Sequence, residues 1–289
     1  MTLKSYRENF KNELLSIYDE HEIDSFFYII LKKIHNLKRI DLALNPETIM
    51  DGIHLKEWKN IVSDFKKEKP IQYILGETEF YGLRFEVNEN TLIPRPETEE
   101  LIELIVTEGK GKRHEAGVKI LDIGTGSGCI AISLAKNIPD AGVFAIDVSE
   151  KALDTAKRNA EINQANVTFW LKNILETEDL EQQFDVIVSN PPYVRNLEKA
   201  EIKRNVLQYE PHLALFVEDG DPLLFYRKIA MLAMRNLTST GKLYFEINQY
   251  LGKETVQLLE NLGFSDVKLL KDIYGNDRMV SAIRSARLQ

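Results

Sequence analysis

Two stretches of this sequence carry residue types that can do chemistry at a useful spacing. The first is Ile120-Leu121-Asp122-Ile123-Gly124-Thr125-Gly126-Ser127-Gly128, an apolar run that ends in alternating glycines. Glycines that close a strand and open a helix let a ligand approach backbone with no Cβ in the way. Asp147 lies 19 residues past Gly128, at the end of the next apolar run. A carboxylate there accepts hydrogen bonds from ribose hydroxyls. The spacing is GxGxG rather than GxGxxG, which favours a nucleoside without phosphates, such as S-adenosylmethionine, over a pyrophosphate dinucleotide. A turn with only a packing role is the alternative, and the strand–loop–helix–strand–Asp context weighs against it.

The second stretch is Asp185-Val186-Ile187-Val188-Ser189, an apolar strand that runs into Asn190-Pro191-Pro192-Tyr193. The carboxyl end of a strand in an open α/β sheet is the expected place for a reacting ligand. Consecutive prolines stiffen the loop and remove backbone donors, leaving carbonyl oxygens free to accept from a planar –NH2 group. Asn190 adds a side-chain carbonyl as a second acceptor, and the Tyr193 ring can stack on a planar substrate. Read without function, the same residues are a rigid turn with Tyr193 as filler.

The rest of the chain must position these groups. Residues 1–75 read as helices: Leu3, Tyr6, Phe10, Leu14 and Ile17 recur at helical spacing, as do Ile23, Phe26, Ile30, Ile34 and Leu37, and then Leu55, Trp58, Ile61, Val62 and Phe65. Asn45-Pro46-Glu47 reads as an N-cap followed by proline at the first helical position. From Thr78 the period changes, and Phe80, Gly82, Phe85 and Val87 suggest a hairpin. Leu92–Pro96 must be extended, a helix runs from near Glu97 to about Thr107, and 108–117 is an expected exposed loop. Strands follow at 119–123, 143–147, 167–171, 185–189 and 242–247, with 267–270 and 279–283 as closing strands. Apolar strands separated by helices imply a parallel sheet covered on both faces. The expected architecture is a helical domain (1–76), a β-hairpin and extended linker (77–96) and a doubly wound α/β domain (97–289).

Composition narrows the function classes. The 289 residues carry 37 basic and 45 acidic side chains, a net charge of −8, with 44% hydrophobic residues. Residues 1–75 hold 12 of each sign, so the acidic surplus lies wholly beyond them. General phosphate gripping is not favoured, and nucleic acid is an unexpected substrate. The histidines at 21, 35, 54, 114 and 212 lack metal-ligand spacing, so no metal is expected. Cys129 is the only cysteine and reads as a small packing residue; no disulfide, signal peptide or membrane span is indicated, and a cytoplasmic chain is expected. Lys32-Lys33 and Lys38-Arg39 read as a solvated helix face rather than a contact for protein or RNA.

The motifs together resemble a known family. The glycine loop, Asp147 and Asn-Pro-Pro-Tyr are similar to amino-methyltransferases that use S-adenosylmethionine. Pro70-Ile71-Gln72-Tyr73-Ile74-Leu75-Gly76, Phe80-Tyr81-Gly82 and Ile93-Pro94-Arg95-Pro96-Glu97-Thr98-Glu99 narrow the resemblance to HemK/PrmC, the protein-(glutamine-N5) methyltransferases of peptide-chain release factors. Glu210-Pro211, Ala214-Leu215 and Phe245-Glu246-Ile247 also resemble that family. The resemblance is close over roughly 70–283, and the first 70 residues match in type and position.

The family implies a Rossmann-like methyltransferase domain with a mostly parallel seven-stranded sheet, preceded by a helical bundle that recognises substrate. Gly124, Thr125, Gly126, Ser127 and Gly128 would wrap the methionine and ribose of S-adenosyl-L-methionine, and Asp147 would hold the ribose. Asn173 and Ile174 fall where the family contacts adenine, although an acidic residue is usual at the first and an aromatic can occupy the second. Asn190 would touch both cofactor and substrate, with Pro191, Pro192 and Tyr193 shaping a glutamine pocket. Asn190, Pro191 and Tyr193 are the expected catalytic residues. Asn248 stands where glycine is common, with no functional meaning attached. Arg95 and Glu97 belong either to the mouth of the site or to a structural ion pair.

The expected reaction is direct in-line methyl transfer to the glutamine of the Gly-Gly-Gln motif in class I release factors, by a monomer, leaving S-adenosyl-L-homocysteine. An amide nitrogen is a poor nucleophile, so alignment with the activated methyl carries the rate. Acceptors at Asn190 Oδ1 and the Pro191 carbonyl would hold the amide hydrogens and stabilise charge developing on nitrogen. An adenine-N6 DNA methyltransferase would need a basic DNA track, which the acidic balance does not supply. A non-catalytic S-adenosylmethionine-binding module would have no use for acceptors beyond the sulfonium.

Overall fold

The computed structural model describes residues 1–49, 52–109 and 117–285. The chain divides into two compact units, one of residues 1–76 with 203–209, the other of 77–202 with 210–289.

The first unit is helical: α1 (Leu3–Leu14), α2 (Glu20–His35), α3 (Arg39–Leu44), α4 (Gly52–Phe65) and the single turn α5 (Ile71–Leu75). Side chains set the helix ends. Thr2 accepts from Ser5 N at the start of α1 and Asp19 from Glu22 N at the start of α2. Asn36, left-handed at φ 53°, closes α2. Each helix buries one stripe, and the stripes meet in an aromatic core around the fully buried Trp58, whose ring centroid lies 5.1 Å from Phe27 and 5.6 Å from Phe10. On α2 the deepest residues are Ile23, Phe27, Ile30 and Leu31, so the stripe is rotated from the expected one and leaves Phe26 and Ile34 half-buried.

The expected N-cap at Asn45-Pro46-Glu47 is corrected by the structure. Asn45 is the C-cap of α3, and residues 46–47 form a turn. That turn serves α1 instead. Leu3 N donates to Thr48 O and Lys4 N to Pro46 O, which satisfies amides that open the helix. The tertiary pairing outweighs the local capping pattern. Residues 203–209 join this unit through α9 (Arg204–Tyr209), whose Tyr209 hydroxyl donates to Lys67 O at 2.8 Å.

The second unit opens with the hairpin β1 (Glu77–Phe80) and β2 (Leu83–Glu86). Tyr81 and Gly82 are both left-handed, at φ 50° and 70°, the turn whose twist matches a two-residue hairpin. Then come α6 (Pro96–Gly109), β3 (Lys119–Ile123), α7 (Cys129–Asn137), β4 (Gly142–Asp147), α8 (Glu150–Ile162), β5 (Val167–Leu171) and β6 (Phe184–Ser189). Short pieces follow, β7 (Val194–Arg195), a 3-10 turn at Asn196–Glu201, α10 (His212–Leu215) and β8 (Phe216–Val217). The unit closes with α11 (Leu224–Asn236), β9 (Leu237–Glu246), α12 (Gly252–Asn261), β10 (Phe264–Lys271) and β11 (Asp277–Arg284). Of the loop expected at 108–117, residues 108 and 109 finish α6, and 110–116 lie outside the described residues.

The main sheet has seven strands in the order β10-β11-β9-β6-β3-β4-β5. β9, β6, β3, β4 and β5 run parallel, while β11 is antiparallel to both its neighbours. From β3 the chain proceeds outward to β4 and β5, then returns to the other side of β3 as β6. The strand order therefore reverses between β3 and β6, and ligands bind beyond the carboxyl ends of strands at such a point. Apolar side chains cover both faces: Ile120, Ala145 and Val188 pack in one cluster with α6 and α7, and Leu121, Ile146 and Ile187 in another with α11. This is a doubly wound, Rossmann-like fold with a helical N-terminal region and a hairpin.

Candidate active site

The carboxyl ends of β3, β4 and β6 open onto a cavity of about 330 Å³, lined wholly by residues of the second unit. Ser189 locks two of the strand ends together, its hydroxyl donating to Ile123 O at 2.6 Å.

The glycines do different work. Gly124 and Gly126 are left-handed, at φ 75° and 56°, line the cavity, and a Cβ on either would meet no protein atom within 4 Å. Gly128, at φ 83°, is a packing glycine: a Cβ there would stand 2.9 Å from Ile132 Cδ1 and 3.1 Å from Ala156 Cβ. It lets α7 and α8 approach each other. Thr125 and Ser127 are buried between these positions and do not line the cavity.

Asp147 ends β4 and braces the glycine loop. Its Oδ2 accepts from Gly126 N at 2.8 Å and its Oδ1 from Ser149 N at 2.9 Å. Burial raises its pKa, and those amides oppose the rise. Each oxygen keeps a further lone pair for a ligand hydroxyl. Asp122, not singled out from the sequence as a site residue, lies beneath the loop. Its Oδ2 accepts from the Thr125 hydroxyl at 2.6 Å and from Ala131 N at 3.3 Å, while Oδ1 is buried with no hydrogen-bond partner among the described residues. Burial first, and the charge of Asp147 second among the raising causes, push its pKa up to about 7 against the Thr125 and Ala131 bonds. Its signal in the sequence is an acid inside an otherwise apolar strand.

Asn173 and Ile174 line the cavity beyond β5. The Asn173 side chain is engaged locally, accepting from Leu175 N at 3.0 Å and donating to Glu176 Oε1 at 2.9 Å. Asn190, Pro191 and Pro192 line it beyond β6. Asn190 Nδ2 donates to the Thr98 hydroxyl at 3.3 Å. Tyr193 does not line the cavity: its ring packs on the core, and its hydroxyl donates to Glu246 Oε1 at 3.1 Å. Burial and the Glu246 charge hold that phenol well above its ordinary pKa.

The remaining walls come from segments that no strand pattern marks. Glu89–Leu92 line one side, and Pro211, Leu213 and Ala214 another. Asn159 of α8 holds the first wall by clasping the backbone of Glu86, its Oδ1 accepting from Glu86 N at 2.6 Å and its Nδ2 donating to Glu86 O at 2.9 Å. The same Nδ2 donates to Ser127 O at 2.8 Å, so hairpin and glycine loop share one support. Arg95 pairs with Glu210, not with Glu97, at 2.6 Å, and Ile93 N donates to the other Glu210 oxygen at 3.1 Å. Asn248 is a hub: its Nδ2 donates to Tyr193 O and Glu198 Oε2, at 3.0 and 2.9 Å, and its Oδ1 accepts from Tyr250 N. Cys129 is held unreactive, its thiol pushed up to about 12 by burial, with the Asp122 charge adding.

The left-handed glycines with open space at the cavity wall and the Asp147 carboxylate fit a nucleoside without phosphates. Residues 7–76 match the family model described as PrmC N-terminal domain, and residues 101–213 match the Methyltransferase small domain. A protein of Flavobacterium psychrophilum named release factor glutamine methyltransferase is 66% identical over 280 residues, spanning 97% of this chain and 98% of its own. A protein of the same name from Bacteroides thetaiotaomicron is 45% identical over 275 residues, 95% of this chain and 97% of its own. The solved 16S rRNA N2 G1207 methyltransferase RsmC of T. thermophilus, in complex with AdoMet and guanosine, covers 72% of this chain and 49% of its own at TM-score 0.51 and 19% identity, a likeness of fold alone.

Proposed function

The chain belongs to the HemK/PrmC family of S-adenosylmethionine-dependent release factor glutamine methyltransferases, and on that premise we propose its substrate and its chemistry. The substrate is the side-chain amide of the glutamine in the Gly-Gly-Gln motif of class I peptide-chain release factors, methylated on N5. The observation that carries this reading is the shared cavity: Asn190 and Pro191 line the same space as Gly126 and Asp147.

Gly124, Gly126 and Asp147 hold the methionine and ribose parts of S-adenosyl-L-methionine, and Asn173 and Ile174 border the adenine. Thr125, Ser127 and Gly128 shape the loop from beneath. Bound S-adenosyl-L-methionine supplies a methyl group activated by its sulfonium and leaves as S-adenosyl-L-homocysteine. Asn190 Oδ1 and the Pro191 carbonyl accept the two hydrogens of the substrate amide and turn its nitrogen lone pair toward the methyl. Orientation of this kind accounts for up to about 7–11 kcal/mol of a barrier. The same acceptors stabilise positive charge as it develops on nitrogen, and the proton leaves after transfer. Pro192 stiffens the loop and Tyr193 anchors its far end. Residues 1–76 serve substrate recognition. The enzyme acts as a monomer, and the substrate implies a cytoplasmic site of action.

The test is transfer of labelled methyl from S-adenosylmethionine to purified release factor, to its Gln→Ala variant in Gly-Gly-Gln, and to duplex DNA. Asn190→Ala enzyme runs alongside. Label on the wild-type factor alone, lost with Asn190→Ala, is the expected result. Label on DNA would overturn the substrate and leave amino-methyl transfer standing.

A further inference from the structure

An asparagine amide looks much the same either way round, yet only its oxygen can accept a hydrogen from a substrate –NH2 group. Something must therefore hold Asn190 with its nitrogen turned away from the substrate. A chain of buried groups behind it supplies the constraint. Asn190 Nδ2 is 3.3 Å from Thr98 Oγ1, and Thr98 Oγ1 is 2.6 Å from Glu246 Oε2. The other Glu246 oxygen accepts from the Tyr193 hydroxyl at 3.1 Å. Thr98 and Glu246 are 2% and 1% exposed, so water does not substitute for these partners.

The donor inventory orders the chain. A hydroxyl has one hydrogen and an ionised carboxylate has none. Glu246 receives a hydroxyl at each oxygen; burial raises its pKa, and those two bonds and the Arg278 charge oppose the rise. Thr98 thus spends its hydrogen on Glu246 and turns a lone pair to Asn190, which only the –NH2 end of the amide can meet. Among the described residues no protein group donates to Asn190 Oδ1. One carboxylate also ties both ends of the loop, position 190 through Thr98 and position 193 directly.

We infer that Thr98 and Glu246 are positioning residues that fix the orientation of the Asn190 amide, presenting Oδ1 to the substrate nitrogen. This rests on the glutamine-amide reading above. Neither residue touches substrate or cofactor in this account; both act through Asn190.

The experiment compares wild type with Thr98→Val, Thr98→Ser and Glu246→Gln. Three quantities are read for each: S-adenosylhomocysteine binding by calorimetry, kcat and KM on release factor, and solvent exchange of the Asn190 side-chain –NH2 by NMR, identified by its loss in Asn190→Asp. Thr98→Val is expected to lower kcat about ten- to hundredfold, the scale set by small misplacements of reacting groups. Its affinity for S-adenosylhomocysteine stays within about threefold of wild type, because neither Thr98 nor Glu246 lines the cavity, and its KM rises less than its kcat falls, because the Asn190 contact strengthens as charge develops in the transition state. Exchange at Asn190 Nδ2 accelerates in the same variant. Thr98→Ser restores both kcat and protection. Glu246→Gln, which can offer a donor to Thr98 and so reverse the chain, behaves like Thr98→Val. The inference is overturned if folded Thr98→Val keeps kcat within twofold, or if Thr98→Ser loses as much as Thr98→Val. A wild-type enzyme that methylates no release factor would sink the functional reading instead, while unchanged exchange at Nδ2 in Thr98→Val would separately sink the orientation.

Discussion

Arg95 and the buried Glu210 are joined across 115 residues of sequence by a 2.6 Å ion pair. The pair ties the segment that leads out of the cavity wall at 89–92 to the one that enters the wall at 211–214. Glu210 has a 1% exposed side chain, whereas Arg95 keeps 31% of its own in contact with solvent.

The two halves of that pair are not equivalent. Arg95→Ala leaves a buried carboxylate that keeps, among the described residues, the Ile93 amide alone as a hydrogen-bond donor, and Glu210→Gln keeps an acceptor for that amide while removing the charge. Breaking a buried pair from one side costs about 3–5 kcal/mol, and the exposure of Arg95 lowers the figure here to about 2 kcal/mol. Urea denaturation should show Arg95→Ala as the more damaging change. Calorimetry should show weaker S-adenosylmethionine binding in Arg95→Ala, since both walls shift.

Gly126 and Gly128 should separate binding from stability. Alanine at 128 combines left-handed backbone with a clash against Ile132 and Ala156, a cost of about 2–4 kcal/mol. Alanine at 126 carries only the backbone term, about 1–2 kcal/mol, but places a methyl at the cavity wall. Thermal melting should rank Gly128→Ala as the less stable protein. Calorimetry on the folded fraction should find the larger relative loss of S-adenosylmethionine affinity in Gly126→Ala.

Asp122 sets a pH dependence of known sign. Its pKa stands at about 7 in the folded protein, above the ordinary carboxylate value, so the folded state binds the proton more tightly than the unfolded one. Stability from this group is therefore present below roughly pH 4 and is lost as pH rises toward about 7, with no further change above. The expected swing is on the order of 4 kcal/mol. Chemical denaturation of wild type and Asp122→Asn across that range isolates it: the wild type should lose ground to the variant as pH rises, and parallel curves would refute the assignment.

Asn248 holds the segment after Asn-Pro-Pro-Tyr through Tyr193 O, Glu198 Oε2 and Tyr250 N. Asn248→Ala should cost about 1–3 kcal/mol, the range for buried polar groups left unpaired. Hydrogen exchange should accelerate over 193–198 more than in the central strands. Uniform acceleration would mean that Asn248 supports the whole unit and not this loop.

The strand–helix alternation was legible because apolar period and turn residues are local properties. The seven strands, the hairpin at Phe80-Tyr81-Gly82 and the helix beginning at Pro96 lie close to where the pattern puts them. Local pattern misled where a distant partner took over. Asn45-Pro46 has the form of a helix start, yet the Pro46 carbonyl serves an amide of α1. Residues 203–209 give no hint in sequence that they cluster with the helical unit.

The same division runs through the site. Sequence alone determined that glycines 124 and 126 and the acid at 147 stand at strand ends, and that Asn190-Pro191-Pro192 follows another, because these depend on spacing along single strands. Only the tertiary structure decided that Gly128 packs helices, that Arg95 answers to Glu210 and not Glu97, and that Tyr193 turns to Glu246. It also recruited Thr98, Asn159, Glu246 and Asn248. Each of these is a buried polar side chain whose meaning lies in what it bonds, and each bonds a partner on another element, at separations from 32 to 148 residues. Spacing within a strand is written in the sequence; the pairing of buried donors with acceptors exists only once the sheet has brought those elements together.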